Sequence, residues 1–196
     1  MDPMVASQLV LWVLVLVLGI AVLALARQVG ILHERVAPMG ALMMDTGPKV
    51  GEAAPRFDLT GLGGEAVAVG APTGAASTLL FFLSPTCPVC KKLLPLLRSL
   101  RDAERSQLAV VLASDGEVAQ HEAYRRKQAV LDFPYVLSTE LGMTYRIAKL
   151  PYAVLLDGAG VIRAKGLVNS REQLESLLTA QELGVASIQD YMKRAS

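Results

Sequence analysis

Two cysteines, Cys87 and Cys90, are the residues whose types and spacing best suit covalent chemistry, and they are the entire cysteine content of the chain. They follow an apolar run at residues 79–83 and precede a segment with helical periodicity. The first sulfur is therefore predicted to lie at a helix N-terminus, where the helix dipole and free backbone N–H groups favour a thiolate. The second sulfur follows three residues later, close enough to close a disulfide. The pattern predicts thiol-disulfide exchange, with Cys87 as the exposed reacting sulfur and Cys90 as its resolving partner.

Two other roles for the cysteine pair have less support in the sequence. A structural disulfide across so short a loop would add only about 2 kcal/mol, and a chain with 53% hydrophobic residues can build a core without it. A zinc site needs four ligands, and the histidines are His33, in a predicted linker, and His121, on a predicted charged helix. We therefore predict no metal and no cofactor other than the redox-active disulfide of Cys87 and Cys90.

The elements that must position the cysteines are predicted from hydrophobic periodicity. Residues 78–83 are solidly apolar, as expected for a central strand buried on both faces. The next helix is predicted from Pro88 to about residue 105, with Pro88 in its first turn and Pro95 kinking its interior. The alternation of strands and helices along the chain predicts an α/β fold with a mixed central sheet and flanking helices. The remaining predicted elements are strands at 55–59, 67–69, 108–113, 134–137, 152–156 and 161–167, and helices at 117–128, 139–146 and 170–181.

The N-terminal segment has the composition of a membrane anchor. No charged residue occurs from Pro3 to Ala26, and residues 9–26 are almost continuously Leu, Val, Ile and Ala. Residues 24–26 have the small-x-small form of a signal-peptidase site, but the apolar stretch exceeds the usual core of a signal peptide and follows an acidic residue instead of a basic one. We predict one uncleaved transmembrane helix that crosses the membrane with residues 4–26. Basic residues follow the span, which alone favours a cytoplasmic domain, so the orientation is argued from chemistry.

The chain is predicted to divide into four segments. They are an anchor with short flanks at residues 1–27, a juxtamembrane linker at 28–49, the α/β domain at 50–183 and a C-terminal tail at 184–196. The formal net charge is +1, from 19 basic and 18 acidic residues, which gives no indication of nucleic-acid binding. The basic cluster at residues 125–127 ends a predicted helix, and we interpret it as a solvated helix C-terminus.

The order of these motifs resembles the thioredoxin fold. The shared features are a strand followed by Cys-x-x-Cys, a helix interrupted at Pro95, and Leu150-Pro151 at the entry to a hairpin. The resemblance implies that Pro151 is a cis-proline that faces the disulfide and receives the substrate backbone. Thr86 stands where many members have tryptophan, and its hydroxyl could either hydrogen-bond the thiolate or cap the helix. We assign Pro151 and Thr86 to substrate binding.

Within the thioredoxin-like proteins, the chain resembles the MauD family of methylamine utilisation proteins. The resemblance rests on residues 82–91, which read FLSPTCPVCK, on the single N-terminal span and on the total length. It implies a membrane-anchored thiol-disulfide oxidoreductase of the bacterial inner membrane, with its thioredoxin-like domain in the periplasm. The implied client is the small subunit of methylamine dehydrogenase, whose disulfides the protein would form or isomerise during maturation. A membrane redox partner is also implied.

The sequence leaves other functions open. A peroxidase is disfavoured because Leu80 stands where peroxiredoxins require a proline ahead of the reactive cysteine, although Ser84 suits their motif. A reductant for cytochrome c maturation would use the same fold and the same cysteines. Such a reductant would differ from an oxidase or isomerase in its redox potential. For a two-electron couple, a difference of about 30 mV in potential corresponds to about 1.4 kcal/mol. A non-catalytic, membrane-tethered chaperone or scaffold for the maturing subunit is a third possibility.

Overall fold

The computed structural model describes residues 3–35, 47–104 and 107–182. The chain divides into two compact units, residues 1–44 and residues 45–196. The predicted C-terminal tail lies outside the described residues, as does half of the predicted linker, residues 36–46, whereas residues 28–35 of that linker are helical.

Helix α1 forms the first unit and runs from Pro3 to Arg35. Its described large apolar side chains are exposed, as Trp12 illustrates with 61% of its surface accessible. Within residues 3–35, 47–104 and 107–182, no helix was found that is long and apolar enough to span a membrane.

The second unit is built on one five-stranded sheet and one two-stranded hairpin. The hairpin strands are β1 (Phe57–Thr60) and β2 (Ala66–Val69). The strands of the large sheet are β3 (Ser77–Phe82), β4 (Leu108–Ser114), β5 (Tyr135–Leu137), β6 (Tyr152–Asp157) and β7 (Ile162–Leu167). The helices are α2 (Pro88–Ala103), α3 (Val118–Lys127), α4 (Thr139–Thr144) and α5 (Arg171–Glu182).

The large sheet is mixed, with the strand order β5-β4-β3-β6-β7. Strands β3, β4 and β5 are parallel, whereas β6 runs antiparallel to β3 and β7 antiparallel to β6. Phe82, at the end of β3, pairs with Ala113 on one side and with Tyr152 on the other. The carboxyl ends of β3, β4, β5 and β7 therefore meet the amino end of β6 at one edge, which we call the disulfide end. The predicted mixed sheet with flanking helices is confirmed.

The core has two parts because the side chains of a strand alternate between the faces of the sheet. All six residues of β3 are buried. Leu79 and Phe81 join the cluster that packs under α2 and α5, whereas Leu80 and Phe82 join the cluster that packs under the hairpin and α4. Burial on both faces explains why β3 is apolar without alternation.

The hairpin covers the free edge of β5. The amide of Leu62, in the turn between β1 and β2, donates to the carbonyl of Tyr135 (2.7 Å), and Gly61 forms a bridge with Val136. The carboxylate of Glu65 lies where a side chain at Gly61 would begin, so a larger residue at this position would displace that flexible side chain. Pairing this edge removes a template for association with other strands.

Candidate active site

The link between β3 and α2 places the two cysteines at the disulfide end. The amide of Leu83 continues the sheet by donating to the carbonyl of Ala113 (3.0 Å). The amide of Cys87 then donates to the carbonyl of Ser84 (3.0 Å), which closes a tight turn. Cys87 has extended backbone angles and is the N-cap of α2, and Pro88 occupies the first turn, where a missing N–H costs nothing.

Cys87 and Cys90 form a disulfide, with their Cα atoms 5.3 Å apart. The sulfur of Cys87 also accepts a hydrogen bond from the amide of Cys90 (3.2 Å), so it caps the helix directly. Cys87 is partly exposed, whereas none of the Cys90 surface is accessible. An attacking thiolate can therefore reach the sulfur of Cys87 from solvent but not the sulfur of Cys90.

The surroundings of Cys90 are apolar. It belongs to the core cluster under α2, together with Leu93, Leu94 and Leu97 of the same helix. An apolar environment disfavours a charged sulfur. The chemical asymmetry of the pair thus follows from position: one sulfur lies at the helix N-terminus and the other lies one turn deeper, inside the core.

Thr86 is exposed, directly before the N-cap. Its hydroxyl lies 2.9 Å from the hydroxyl of Ser84, and its amide donates to the same Ser84 oxygen (3.3 Å). Of the two roles considered for this hydroxyl, helix capping is performed by the Cys87 sulfur instead. In the oxidised protein Thr86 orders the turn before the cysteine and presents its exposed side to solvent.

The Leu150-Pro151 bond is cis, as the resemblance to the thioredoxin fold implied. Because Tyr152 pairs with Phe82, Pro151 lies beside Leu83, where the turn towards the disulfide begins. The carbonyl of Pro151 accepts a hydrogen bond from the amide of Val168 (3.1 Å), which holds the proline against the end of β7. Sequence reasoning therefore located both cysteines and Pro151 at one end of one sheet.

A groove of about 1010 Å³ opens at the disulfide end. Phe82, Leu83 and Ala113 contribute to its apolar surface, and the exposed Met143 of α4 lies at another side. The segment from Arg146 to Leu150 forms a wall that leads to the cis-proline. No sequence pattern predicted this groove, because its lining residues come from three separate parts of the chain, at 82–83, 113–115 and within 138–150.

Four exposed cations flank the disulfide. Lys91 and Lys92 directly follow the second cysteine, and Arg146 and Lys149 precede the cis-proline. None of them forms an ion pair with another described residue. By contrast, the two arginines of α2 farther from the disulfide both pair with Asp132. The uncompensated positive charge of this helix thus lies next to the reacting sulfur.

A buried polar network lies behind the turn. The hydroxyl of Ser114 donates to the carbonyl of Leu83 (2.7 Å), at the point where β3 leaves the sheet. The Nε2 atom of His121 lies 2.8 Å from the carbonyl of Asp115, and Nδ1 lies 2.7 Å from the hydroxyl of Tyr135. Since a carbonyl can only accept, Nε2 carries a hydrogen and donates to Asp115. Burial raises the pKa of Tyr135, which keeps its hydroxyl protonated.

The interpretation of residues 125–127 as a fully solvated helix end is wrong for Arg125. Its side chain is buried and pairs with Glu122, while Arg126 and Lys127 are exposed. His121 is likewise buried, with both ring nitrogens within hydrogen-bonding distance of partners, on a helix that its charged sequence marked as a surface element. The described part of the chain holds no cluster of three or more potential metal ligands.

Comparison with known proteins agrees with this geometry. A profile of the AhpC/TSA family matches residues 50–180. The methylamine utilization protein MauD of Methylorubrum extorquens is 49% identical over 193 residues, covering 98% of this chain and 93% of the relative. The MauD protein of Paracoccus denitrificans is 47% identical, covering 96% and 94% of the two chains. The chain belongs to the MauD family.

Solved structures show the fold of this MauD-family domain independently. StoA of Bacillus subtilis is 29% identical with a TM-score of 0.54, covering 65% of this chain and 99% of that protein. A thiol-disulfide oxidoreductase of Bacteroides fragilis is 24% identical with a TM-score of 0.54, covering 64% and 99%. The MauD-family chain is a thiol-disulfide oxidoreductase with a thioredoxin-like fold and a Cys87–Cys90 redox centre.

Proposed function

We propose that this MauD-family protein forms or isomerises disulfides in the small subunit of methylamine dehydrogenase as that subunit matures. The observation that carries the proposal is the asymmetric disulfide. Cys87 is partly exposed at the N-cap of α2, at the end of the sheet that also carries the cis-proline, whereas Cys90 is fully buried in the core. The assignment of the client is supported by relatives that are named as methylamine utilization proteins and that this chain matches over nearly their full length.

The oxidising reaction proceeds in two exchanges. A client thiolate attacks the Cys87 sulfur, the bond between Cys87 and Cys90 breaks, and Cys90 leaves as a thiolate that takes up a proton. A second client thiolate then attacks the client sulfur of the mixed disulfide, and Cys87 leaves as a thiolate. The client loses two electrons and gains a disulfide, while the cysteine pair becomes a dithiol. A membrane redox partner withdraws two electrons to restore the Cys87–Cys90 disulfide.

The surroundings of Cys87 support the oxidising direction. A redox couple is more oxidising when its reduced form is stabilised. The reduced form carries a Cys87 thiolate that accepts from the Cys90 amide, lies at the positive end of α2 and has Lys91 and Lys92 nearby without ion-pair partners. Each of these interactions is stronger for a thiolate than for a disulfide sulfur. We therefore place electron flow from client to protein.

Membrane attachment belongs to the same proposal. Its support is the sequence alone, in which residues 9–26 are uncharged and almost continuously apolar. Attachment to the inner membrane would hold the domain in the periplasm, an oxidising compartment where a disulfide-forming enzyme has substrates. A reporter fused after residue 196, active only in the periplasm, tests the orientation, and extraction at high pH tests membrane integration.

The proposal is tested by trapping the mixed disulfide. Cys90→Ser leaves Cys87 as a free thiol, whose thiolate can attack a client disulfide and displace one client sulfur as a thiolate. The resulting mixed disulfide persists because residue 90 no longer carries a sulfur that could displace the client from Cys87. In cells that express methylamine dehydrogenase, this variant should carry the small subunit on Cys87, as a band that reductant dissolves and mass spectrometry identifies. The matched variant Cys87→Ser should trap nothing. If Cys90→Ser captures apocytochrome c instead, the client assignment is wrong.

Rescue experiments separate catalysis from scaffolding. If a double variant, Cys87→Ser with Cys90→Ser, restores normal yields of active methylamine dehydrogenase, the protein acts as a chaperone and the redox proposal fails. A measured redox potential close to that of a cytosolic thioredoxin would favour the reductant over the oxidase or isomerase.

A further inference from the structure

The exposed apolar side chains of the second unit are concentrated at the disulfide end. Among the described residues of this unit, five large apolar side chains are exposed, and four of them lie at this end. Val118 begins α3 and Met143 lies on α4. Leu150 precedes the cis-proline, and Leu167 ends β7. Of these four, Met143 and Leu150 also line the groove, and exposed apolar residues at a groove mark a binding surface more than a structural need.

The charges around the groove are arranged by side. Strands β4 and β6 flank β3 on opposite sides, so Asp115, after β4, and Leu150, before β6, lie on opposite sides of Leu83. The wall next to the cis-proline carries Arg146 and Lys149, neither of which is paired with a described residue. The far side carries the carboxylate of Asp115 and, at the start of α4, that of Glu140. The positive charge is therefore confined to the proline side of the groove and to the start of α2.

The backbone of the proline-side wall is open to a partner. Within the described residues, the amides of Lys149 and Leu150 donate to no backbone carbonyl and to no side chain. Free amides at a groove suit an extended peptide, whose carbonyls can accept them while its side chains enter the groove. The lining of the groove combines apolar side chains with polar and charged ones, so it can contact both kinds of client side chain.

We propose that the disulfide end selects client segments in which the reacting cysteine is flanked by aliphatic and acidic residues. The aliphatic side chain packs against Leu150 and Met143, and the carboxylates meet Arg146, Lys149 and the lysines at the start of α2. The inference rests on the proposed function, because it names the kind of segment that Cys87 oxidises. The same positive field also attracts the attacking thiolate, so binding and reaction favour one client chemistry.

Two synthetic dithiol peptides of equal length test the inference. Both contain two reduced cysteines and flanking leucines, but one has aspartates and the other lysines beside the cysteines. Thiol loss is followed with the full-length oxidised protein in a nonionic detergent, and each rate is divided by the rate of the same peptide with an uncharged aromatic disulfide. This division removes the effect of peptide charge on intrinsic thiol reactivity.

At about 50 mM salt the acidic peptide should react about tenfold faster, as two or three partly screened charge contacts would produce. The ratio should fall towards one at about 1 M salt. Arg146→Glu with Lys149→Glu should abolish the preference. The matched control, Arg56→Glu with Lys127→Glu, makes the same change in net charge on exposed residues remote from the disulfide end and should retain it.

The outcomes distinguish this inference from the proposed function. Exchange of both peptides at equal normalised rates would overturn the preference while leaving the oxidase proposal intact. An effect of the control pair equal to that of the groove pair would also overturn it, since net charge alone would then explain the preference. Failure to exchange with either peptide and with dithiothreitol would refute the proposed function, and the inference with it.

Discussion

The capping role of Cys87 predicts how substitutions at this position change the free energy of unfolding. The sulfur accepts from the amide of Cys90 at 3.2 Å and is the N-cap of α2. Cys87→Ala, Cys87→Ser and Cys87→Asp all remove the disulfide, so differences among them report on the cap alone. The serine variant keeps a hydrogen-bond acceptor, so its free energy of unfolding should exceed that of the alanine variant by about 1 kcal/mol, which is typical of an N-cap. Aspartate adds a charge at the positive helix end and should exceed serine by roughly 0.5 kcal/mol at pH 7.

Urea unfolding of the three variants under reducing conditions measures this order. With a slope of roughly 2 kcal/mol per M, the step from alanine to serine should raise the unfolding midpoint by about 0.5 M without changing the slope. The introduced carboxylate would have a lowered pKa in the folded state. Its contribution is therefore complete above the unfolded value of about 3.9 and is lost as the pH falls through the folded value.

A control in the middle of the same helix should show the opposite order. Ser99 is exposed in α2, where helix propensity and not capping decides, so Ser99→Ala should stabilise slightly and Ser99→Asp should not. Equal stability of Cys87→Ala, Cys87→Ser and Cys87→Asp would refute the argument. The helix end would then have no preference for an anion at position 87, and the thiolate stabilisation used to assign electron flow would lose its basis.

Three further predictions concern the potential, the core and the pH dependence of stability. Lys91→Glu with Lys92→Glu should destabilise the Cys87 thiolate and lower the redox potential by about 20 mV, measured by equilibration with glutathione; an unchanged potential would remove these lysines from the account. Leu97→Ala, at a fully buried position of α2, should cost about 2–5 kcal/mol in urea unfolding, and a loss below 1 kcal/mol would contradict the packing described. Burial raises the pKa of Asp132, but hydrogen bonds from two arginines outweigh this effect and leave the pKa below its ordinary value. The ionised Asp132 therefore stabilises the fold at neutral pH, and this contribution is lost in acid. Asp132→Asn should therefore cost under about 1 kcal/mol at pH 7, because the pair is exposed, and should weaken the fall in stability below about pH 4.

The order of elements was predictable because each depends on local pattern. Every strand and helix predicted for residues 55–181 appears within a few residues of its expected bounds, from β1 at Phe57–Thr60 to α5 at Arg171–Glu182. The turn that carries the cysteines was predictable for the same reason. The contacts that define it join Ser84, Thr86, Cys87 and Cys90, which lie within seven consecutive residues.

Residues whose environment depends on distant parts of the chain were not predictable. Arg125 stands in a basic cluster at a helix end, a pattern that is usually solvated, yet it is buried in the fold. His121 is buried with its ring against the hydroxyl of Tyr135. That partner lies 14 positions away, on β5, so the sequence of α3 does not reveal it. The hydrogen bond from Ser114 to Leu83 spans 31 positions. No periodicity in a single segment contains information about such pairs.

The sequence by itself determined the chemistry of this protein. A cysteine pair follows a buried strand, its first cysteine caps the next helix, and a proline stands later in the chain at the entry to a hairpin. These features are local, because each depends on residues that are neighbours in the sequence. Only the tertiary structure decided which cations of the disulfide end remain without ion-pair partners and which side chains form the groove where a client would lie. Those properties arise when the ends of five strands meet at one edge of a sheet, and that meeting is a property of the whole domain.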